Sequence, residues 1–232
     1  MNGRPKKSKR GAPRPAATFC SERSADRERA FSITPVSRET AERLGGFVAI
    51  LLQWQRTTNL IAASSIANLW TRHVADSLQL LDLAADARTW VDFGSGGGFP
   101  GLVIACALAG KPGCAVHLVE SNGKKAAFLR EAQRACEVPA IIHPDRMEDF
   151  ALGFQGNADA VTARAVGPLN TLLTLSFPLL GKTAAVGLFP KGQNAQLEVE
   201  EASQFWNMRS ALVPSRTGSS GQIVVVRDLQ PR

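Results

Sequence analysis

A glycine-rich segment, VDFGSGGGFPG at residues 91–101, contains residue types that bind nucleotide cofactors. Gly96, Gly98 and Gly101 satisfy the G-x-G-x-x-G spacing that lets a backbone approach a dinucleotide pyrophosphate. From Asp92 the same segment also reads D-x-G-x-G-x-G, a tight turn that can approach S-adenosyl-L-methionine. Asp92 discriminates between these ligands, because a carboxylate repels a pyrophosphate but attracts a sulfonium and an ammonium group. The segment therefore favours S-adenosyl-L-methionine as the cofactor.

Further polar residues follow the next two predicted strands. The strand AVHLVE ends in Glu120, where a carboxylate can accept hydrogen bonds from both ribose hydroxyls of NAD or of S-adenosyl-L-methionine. After the third strand, Met147 and Glu148 could pack against and hydrogen-bond an adenine, although an ordinary helix start with surface charges is the commoner explanation of such a segment. These residues predict an adenosyl ligand without choosing between the two cofactors.

The elements that must position these residues alternate in type. From Thr89 onward, short apolar runs are separated by helical segments, which predicts right-handed crossovers and a mostly parallel sheet. The runs are TWVDF, AVHLVE, AIIHP, ADAVTA, TAAVGLF, SALVP and QIVVVRD. Only SRTGSSG separates the last two, which indicates an antiparallel hairpin. This pattern fits a Rossmann-like, seven-stranded class I methyltransferase sheet better than a dehydrogenase.

Two helices are predicted ahead of the sheet. In the first, residues 37–55, apolar side chains recur at helical spacing and Ser37 is a suitable N-cap. The second covers residues 64–83. We therefore expect a basic disordered arm at 1–34, N-terminal helices at 35–88 and a methyltransferase domain at 89–229 that forms one fold with those helices.

The positive charge of the chain is concentrated near its start. The net charge is +7 and the isoelectric point about 9.7, but residues 1–30 hold nine of the 27 lysines and arginines against three acids. The remaining 202 residues are close to neutral, so nucleic-acid binding by the folded body must depend on local clusters. The arm itself is either an electrostatic tether for RNA or a dispensable extension.

Cysteine spacing and hydropathy argue against a metal-binding, membrane-spanning or secreted protein. Cys20, Cys106, Cys114 and Cys136 form no metal-binding pattern, so we expect no metal and free thiols in a reducing cytoplasm. The apolar runs are too short to span a bilayer, and the N-terminus lacks the apolar core of a secretory signal. Without coiled-coil heptads, we expect a cytoplasmic monomer.

Several motifs together resemble the RsmG (GidB) family, bacterial methyltransferases that modify N7 of a guanine in small-subunit (16S) ribosomal RNA. The resemblance spans roughly residues 40–228, and Phe99-Pro100-Gly101 makes it far more specific than the glycine loop alone. The motifs are NL (59–60), RHVADSL (72–78), DFGSGGGFPGLVIA (92–105), VESNGKKAAFL (119–129), RMED (146–149), TARAVGPL (162–169) and PKGQ (190–193).

The resemblance implies a cofactor site and a mechanism. It implies that Gly94, Phe99, Met147, Glu148 and Arg164 hold S-adenosyl-L-methionine, in addition to Asp92, Gly96 and Glu120, which the residues themselves indicate. Guanine N7 presents a lone pair, so methyl transfer needs alignment rather than a general base, and no catalytic side chain is identified. An amino-group methyltransferase would show an Asp/Asn-Pro-Pro-aromatic run after the fourth strand, and a pyrimidine C5 enzyme a late cysteine. The sequence has neither.

Basic residues are expected to hold phosphates beside a guanine drawn out of its stack. The candidates are Arg72, Lys124, Lys125, Arg146, Arg164 and Lys191. A local Arg72–Asp76 ion pair and a solvated helix face at Lys124 and Lys125 are the ordinary alternatives. His73 is a further candidate for substrate positioning, although a structural histidine is the commoner case.

The implied partner is ribosomal RNA or the small subunit, including an assembly intermediate. Three other functions stay open on the residues alone. They are a methyltransferase of another RNA site or small molecule, a dinucleotide-binding oxidoreductase, and a non-catalytic RNA-binding factor.

Overall fold

A seven-stranded sheet lies at the centre of the computed structural model, which describes residues 16–218 and 220–232. The strand order is β3-β2-β1-β4-β5-β7-β6. The strands are β1 (Thr89–Phe93), β2 (Ala115–Val119), β3 (Ala140–His143), β4 (Ala160–Ala163), β5 (Val186–Lys191), β6 (Trp206–Pro214) and β7 (Gln222–Pro231). The first five are parallel, and β7 runs antiparallel to both β5 and β6. The predicted mostly parallel sheet with a terminal hairpin is confirmed.

Helices cover both faces of this sheet. They are α1 (Ala16–Ile33), α2 (Arg38–Trp54), α3 (Asp76–Leu78), α4 (Leu80–Leu83), α5 (Gly101–Leu108), α6 (Gly123–Cys136), α7 (Met147–Gly153), α8 (Leu169–Leu180) and α9 (Ala195–Ala202). In β1, Trp90 packs with α2, α5 and α6, whereas Val91 and Phe93 pack with α7 and α8 on the opposite face. Because both faces are buried, the central strands are almost continuously apolar.

The predicted helix at residues 37–55 corresponds to α2. Ser37 caps it by accepting a hydrogen bond from the Thr40 amide at 3.2 Å. Phe47 is fully buried and contacts Phe99 and Phe128, with ring centroids 5.3 and 6.4 Å away. This packing attaches the N-terminal helices to the sheet domain.

The predicted second helix, residues 64–83, has an irregular form. A 3₁₀ helix (Ala63–Asn68) leads into a π-helix (Trp70–Ala75), which the short helices α3 and α4 follow. Regular apolar spacing does not reveal such a change of helical pitch, because buried residues recur in each form. The π-helix contains Arg72 and His73, and π-helical turns are frequent at functional sites.

Helix α1 corrects the prediction of a disordered arm over residues 1–34. Residues 16–33 are helical, and Ala30 is fully buried. Residues 1–15 of the expected arm lie outside the described residues. The helix has no clear amphipathic repeat, and its fixed contacts come from residues distant in sequence, so local composition misrepresents it.

Membrane spans, metal sites and cysteines can be compared with the predictions over the described part of the chain. No helix there is both long and apolar enough to cross a membrane. No group of three or more potential ligands in that part could hold a metal ion. Cys106 and Cys136 are buried free thiols and Cys114 is a half-buried one.

Candidate active site

The predicted cofactor residues meet at one edge of the sheet. Because β1 to β4 are parallel neighbours, their carboxyl ends place Asp92, Glu120, the Arg146–Glu148 segment and Arg164 along that edge. Open α/β sheets bind ligands at this edge. The structure thus brings together residues that are separated by more than 70 positions in sequence.

The glycine loop after β1 leaves room for a ligand to approach its backbone. Gly94 has φ +66°, and a Cβ there would lie 2.7 Å from Val166 Cγ2. The amides of Gly94 and Ser95 donate to the Val119 carbonyl at 2.9 and 3.1 Å, which joins the loop to β2. Only glycine satisfies both the backbone angle and the close contact at position 94.

Asp92 lies beneath the loop and is fully buried. Its Oδ2 accepts a hydrogen bond from the Gly101 amide at 3.1 Å, at the start of α5, and its Oδ1 has no partner among the described residues. Burial is the main cause that raises the pKa of this carboxyl to about 7, and the charge of Glu120 acts in the same direction, while the Gly101 hydrogen bond and the charge of Arg164 oppose the shift. A cation bound at the loop would favour its ionised form.

Glu120 joins the glycine loop to the segment after β2. Its Oε2 accepts from the Gly96 amide at 2.9 Å and its Oε1 from the Asn122 amide at 2.8 Å. Each carboxylate oxygen has a second lone pair, so the side chain can also accept hydrogen bonds from ribose hydroxyls. The buried orphan oxygen of Asp92, the glycine cradle and the Glu120 carboxylate fit a cationic adenosyl cofactor.

The residues predicted to contact adenine or RNA lie beside this edge. Met147 is half-buried and Glu148 exposed in the first turn of α7, with Arg146 exposed immediately before it. Lys124 is exposed and Lys125 half-buried in the first turn of α6, and both backbone amides donate to Asn122 Oδ1 at 3.1 Å. Their ligand roles stay predictions.

Phe99, which follows the glycines of the loop, packs against His73 of the π-helix. Phe99 is only 7% exposed, and its ring lies 4.9 Å from the His73 ring. His73 Nε2 is 2.8 Å from the Ser65 hydroxyl, and this hydroxyl donates to the Ala62 carbonyl. Burial, with the charges of Arg164 and Arg72, lowers the pKa of His73 to about 3, so the imidazole is neutral at physiological pH. These contacts favour the structural role over that of a proton donor.

Arg164 connects the sheet edge to the π-helix. Its Nη2 donates to the Arg72 carbonyl at 2.9 Å and lies 3.6 Å from Asp76 Oδ2. Asp76 thus pairs with an arginine from β4's end, rather than in the local Arg72–Asp76 pair considered above. Arg164 Nη1 is buried without a partner among the described residues, and burial lowers the pKa of this side chain.

A cavity of about 660 Å³ opens beside Arg164. Arg72, Asp76, Arg164 and Lys191 line it, together with the loop between β6 and β7. Ala165, also in the lining, has φ +56°, a conformation that costs a non-glycine residue about 1–3 kcal/mol and often marks a functional site. The volume falls within the range of about 300–1,000 Å³ that suits a small ligand.

Lys191 is already engaged within the protein. Its Nζ lies 2.7 Å from the Gly167 carbonyl and 2.7 Å from Glu198 Oε2, and its side chain is 8% exposed. Glu198 also accepts from the Leu169 amide at 2.6 Å. The RNA-binding role of Lys191 stays a prediction, and Glu198 would compete with any phosphate for its charge.

Sequence reasoning missed several residues that shape the cavity. Asp76 Oδ1 accepts from Gln79, Ser215 and Thr217 at 2.9 Å each, which ties the β6–β7 loop to α3. The composition of SRTGSSG is typical of a turn and indicates no contact with the cavity. The only available signal was the presence of Asp76 within the RHVADSL motif.

Comparison of the sequence finds one family. A family model described as rRNA small subunit methyltransferase G matches residues 40–223. A ribosomal RNA small subunit methyltransferase G from Bradyrhizobium sp. strain BTAi1 is 53% identical over 203 residues, which cover 88% of this chain and 91% of the relative. Its counterpart in Rhodopseudomonas palustris strain BisB18 is 52% identical over 211 residues, covering 91% and 90%.

Solved structures share the fold. An O-methyltransferase from Bacillus cereus in complex with SAH has a TM-score of 0.57 at 13% identity, covering 88% of this chain and 97% of that one. The O-methyltransferase TomG from Streptomyces achromogenes in complex with SAM has a TM-score of 0.53 at 17% identity, covering 88% and 96%. At such identities the likeness concerns the fold alone.

Proposed function

The chain belongs to the rRNA small subunit methyltransferase G family and has the class I methyltransferase fold, and we propose that it methylates N7 of a specific guanine in 16S ribosomal RNA. The methyl donor is S-adenosyl-L-methionine. The observation that carries this proposal is the cavity lined by Arg72 and Arg164, because Val166, two residues after Arg164, lies against Gly94 of the glycine loop. One edge of the sheet can thus hold a cofactor and a purine side by side.

S-adenosyl-L-methionine supplies an electrophilic methyl group when bound. The residues proposed to hold it are Asp92, Gly94, Gly96, Phe99, Glu120, Met147 and Glu148. Arg164, which the sequence also suggested for the cofactor, is proposed to serve the substrate cavity that it lines. Asp92 supplies negative charge beneath the loop, and Glu120 supplies hydrogen-bond acceptors at the end of β2. Phe99 acts through packing, since only 7% of it is exposed.

The residues of the cavity bind and orient the nucleotide. Guanine N7 carries a lone pair and no proton, so no side chain has to remove one. The neutral His73, bonded to Ser65, accords with this requirement. Arg164 is held in one orientation by the Arg72 carbonyl and by Asp76, so it can position a base or phosphate without reorganising.

The proposed RNA contacts extend beyond the cavity. Lys124, Lys125 and Arg146 are proposed to hold phosphates near the ends of β2 and β3, and Lys191 to do so near β5. The partner is ribosomal RNA, either free or in an assembling small subunit, and the enzyme is proposed to act as a cytoplasmic monomer. The N-terminal helices at 35–88 and the domain at 89–229 are proposed to work as one unit, supported by the Phe47–Phe99 contact.

The test is transfer of labelled methyl groups to RNA that lacks the modification. Small subunits and naked 16S RNA from a strain deleted for the gene are incubated with the protein and S-adenosyl-L-methionine. Mass analysis of nuclease digests should show one 7-methylguanosine restored at a single position. Asp92→Ala serves as the inactive control. Retention of every guanine N7 methyl group in the deletion strain would refute the assignment.

A further inference from the structure

Helix α1 is joined to the π-helix through the side chain of Asp26. This carboxylate is 7% exposed, and its Oδ2 accepts from the Trp70 amide at 2.8 Å. Its Oδ1 accepts from the Thr71 amide at 3.3 Å and from the Thr71 hydroxyl at 2.5 Å. Asp26 therefore binds the first two residues of the π-helix from a position 44 residues earlier in the chain.

Aromatic and cationic packing surrounds this junction. Arg27 Cζ lies 5.4 Å from the Phe31 ring and 5.2 Å from the Trp70 ring, and the two rings meet edge to face at 5.5 Å. Arg27 Nη2 also donates to the Ala41 carbonyl in α2 at 3.1 Å. Helix α1 is thus held against both the π-helix and α2, so its contact with the π-helix is fixed.

The π-helix in turn carries the groups that hold Arg164. The Arg72 carbonyl accepts from Arg164, and Asp76, the residue after the π-helix, faces the same guanidinium. Asp76 also accepts from Ser215 and Thr217 in the β6–β7 loop. A shift of the π-helix would therefore move both Arg164 and one wall of the cavity.

We propose that Asp26 is a positioning residue for methyl transfer: by fixing the start of the π-helix, it sets the position of Arg72 and Asp76 and, through them, of Arg164 in the substrate cavity. This inference rests on the proposed function. Asp26 lies before the residues that the family model matches, 40–223, within a segment that sequence composition had assigned to a disordered arm.

The test compares full-length Asp26→Asn and Asp26→Ala with the wild type. Initial rates with small subunits from the deletion strain give kcat and KM, and calorimetry gives the Kd for S-adenosyl-L-methionine. We expect kcat to fall by on the order of tenfold to a hundredfold, as misplaced catalytic groups do, with the cofactor Kd changed less than about twofold. Asn keeps one acceptor oxygen, so Asp26→Asn should retain more activity than Asp26→Ala.

A matched control separates positioning from general stability. Asp159 Oδ2 also accepts from two consecutive amides, those of Arg88 and Thr89, but at the opposite end of β1. Asp159→Asn should keep a wild-type kcat when each variant is assayed well below its own Tm. Thr71→Val removes only the hydroxyl donor to Asp26 and should also lower kcat. This variant keeps the proposal testable if Asp26→Ala fails to fold.

The outcomes distinguish the two proposals. An active wild type with a wild-type kcat in folded Asp26→Asn and Thr71→Val would overturn the role of Asp26 and leave the proposed function intact. An equal loss of kcat in Asp159→Asn would show that Asp26 contributes only to stability and would overturn its positioning role. A wild type unable to methylate small-subunit RNA would overturn both proposals.

Discussion

The carboxylate of Asp92 accepts a hydrogen bond from the Gly101 amide at 3.1 Å through one oxygen, while its other oxygen lies buried without a partner among the described residues. Burial raises the pKa of this group from 3.8 to about 7. Between about pH 4 and pH 7, Asp92 therefore stays protonated in the folded protein without ligand but is ionised in the unfolded chain. This group's contribution to the free energy of unfolding falls as the pH rises from about 4 to about 7.

A bound cofactor cation should favour the ionised form of Asp92, so binding should release the proton from this carboxyl. The affinity for S-adenosyl-L-methionine is then expected to fall about tenfold between pH 8 and pH 6, because only the ionised carboxylate attracts the cation. Calorimetry across this range measures the change. In Asp92→Asn, which keeps the shape but cannot ionise, the dependence should disappear, and any titration of the ligand itself appears in both proteins. A pH-independent affinity in the wild type would contradict the assigned role of Asp92.

Glu120 provides a second test of the cofactor site. Its two oxygens accept from the Gly96 and Asn122 amides, and we expect them also to accept from the ribose. Loss of a hydrogen bond to a charged group costs about 1.5–3 kcal/mol, so the wild type should bind S-adenosyl-homocysteine at least about tenfold more tightly than its 2′-deoxy analogue. In Glu120→Gln this preference should shrink. An unchanged ratio would place the ribose elsewhere, whatever the loss of absolute affinity.

Gly101 tests the packing beneath the loop. A Cβ at this position would lie 2.3 Å from Leu118 Cδ2 and 2.5 Å from Asp92 Oδ2. Although alanine usually stabilises a helix, Gly101→Ala should lower the free energy of unfolding by about 1–3 kcal/mol through overpacking, and the Tm by about 3–10 °C. Gly153→Ala, where a Cβ meets nothing within 4 Å, should change the Tm little. Calorimetric melting of the two variants gives the comparison, and equal Tm values would refute it.

Arg164 distinguishes the substrate side from the cofactor side. Lysine cannot reproduce the guanidinium geometry that reaches the Arg72 carbonyl and faces Asp76 together. Arg164→Lys should therefore lower kcat for RNA methylation by on the order of tenfold to a hundredfold. The cofactor Kd should change by less than about threefold, since the contacts of Arg164 lie toward the cavity. Arg209→Lys, in an exposed pair with Asp228, is the control with no expected effect. A matching loss of cofactor affinity would instead assign Arg164 to the cofactor.

Local sequence signals predict the strands of the sheet, but they do not predict the contacts that position the residues around the substrate cavity. The strands follow from apolar runs, and Ser37 caps α2 as its sequence position indicates, because both depend on neighbouring residues. The Asp26–Trp70 contact joins two helices that are 44 residues apart in sequence. The Lys191–Glu198 pair joins the end of β5 to α9 across the turn between them. No periodicity encodes such contacts, so the sequence pattern predicts neither α1 nor the π-helix that Asp26 joins to it.

Lys124 and Lys125 are proposed RNA ligands, and the salt dependence of RNA affinity tests this role. A lysine bound to a phosphate contributes about 0.7 to the slope of log affinity against log salt on a single strand, through counterion release. Replacing both by alanine should therefore reduce the slope by about 1.4 in filter-binding titrations with 16S RNA. Lys111 and Lys182 supply a control of equal charge, since they are exposed ahead of β2 and β5, at the opposite edge of the sheet. Their double alanine variant should keep the wild-type slope. If both pairs reduced the slope equally, RNA would be attracted by overall charge, and α6 would have no specific contact with the phosphates.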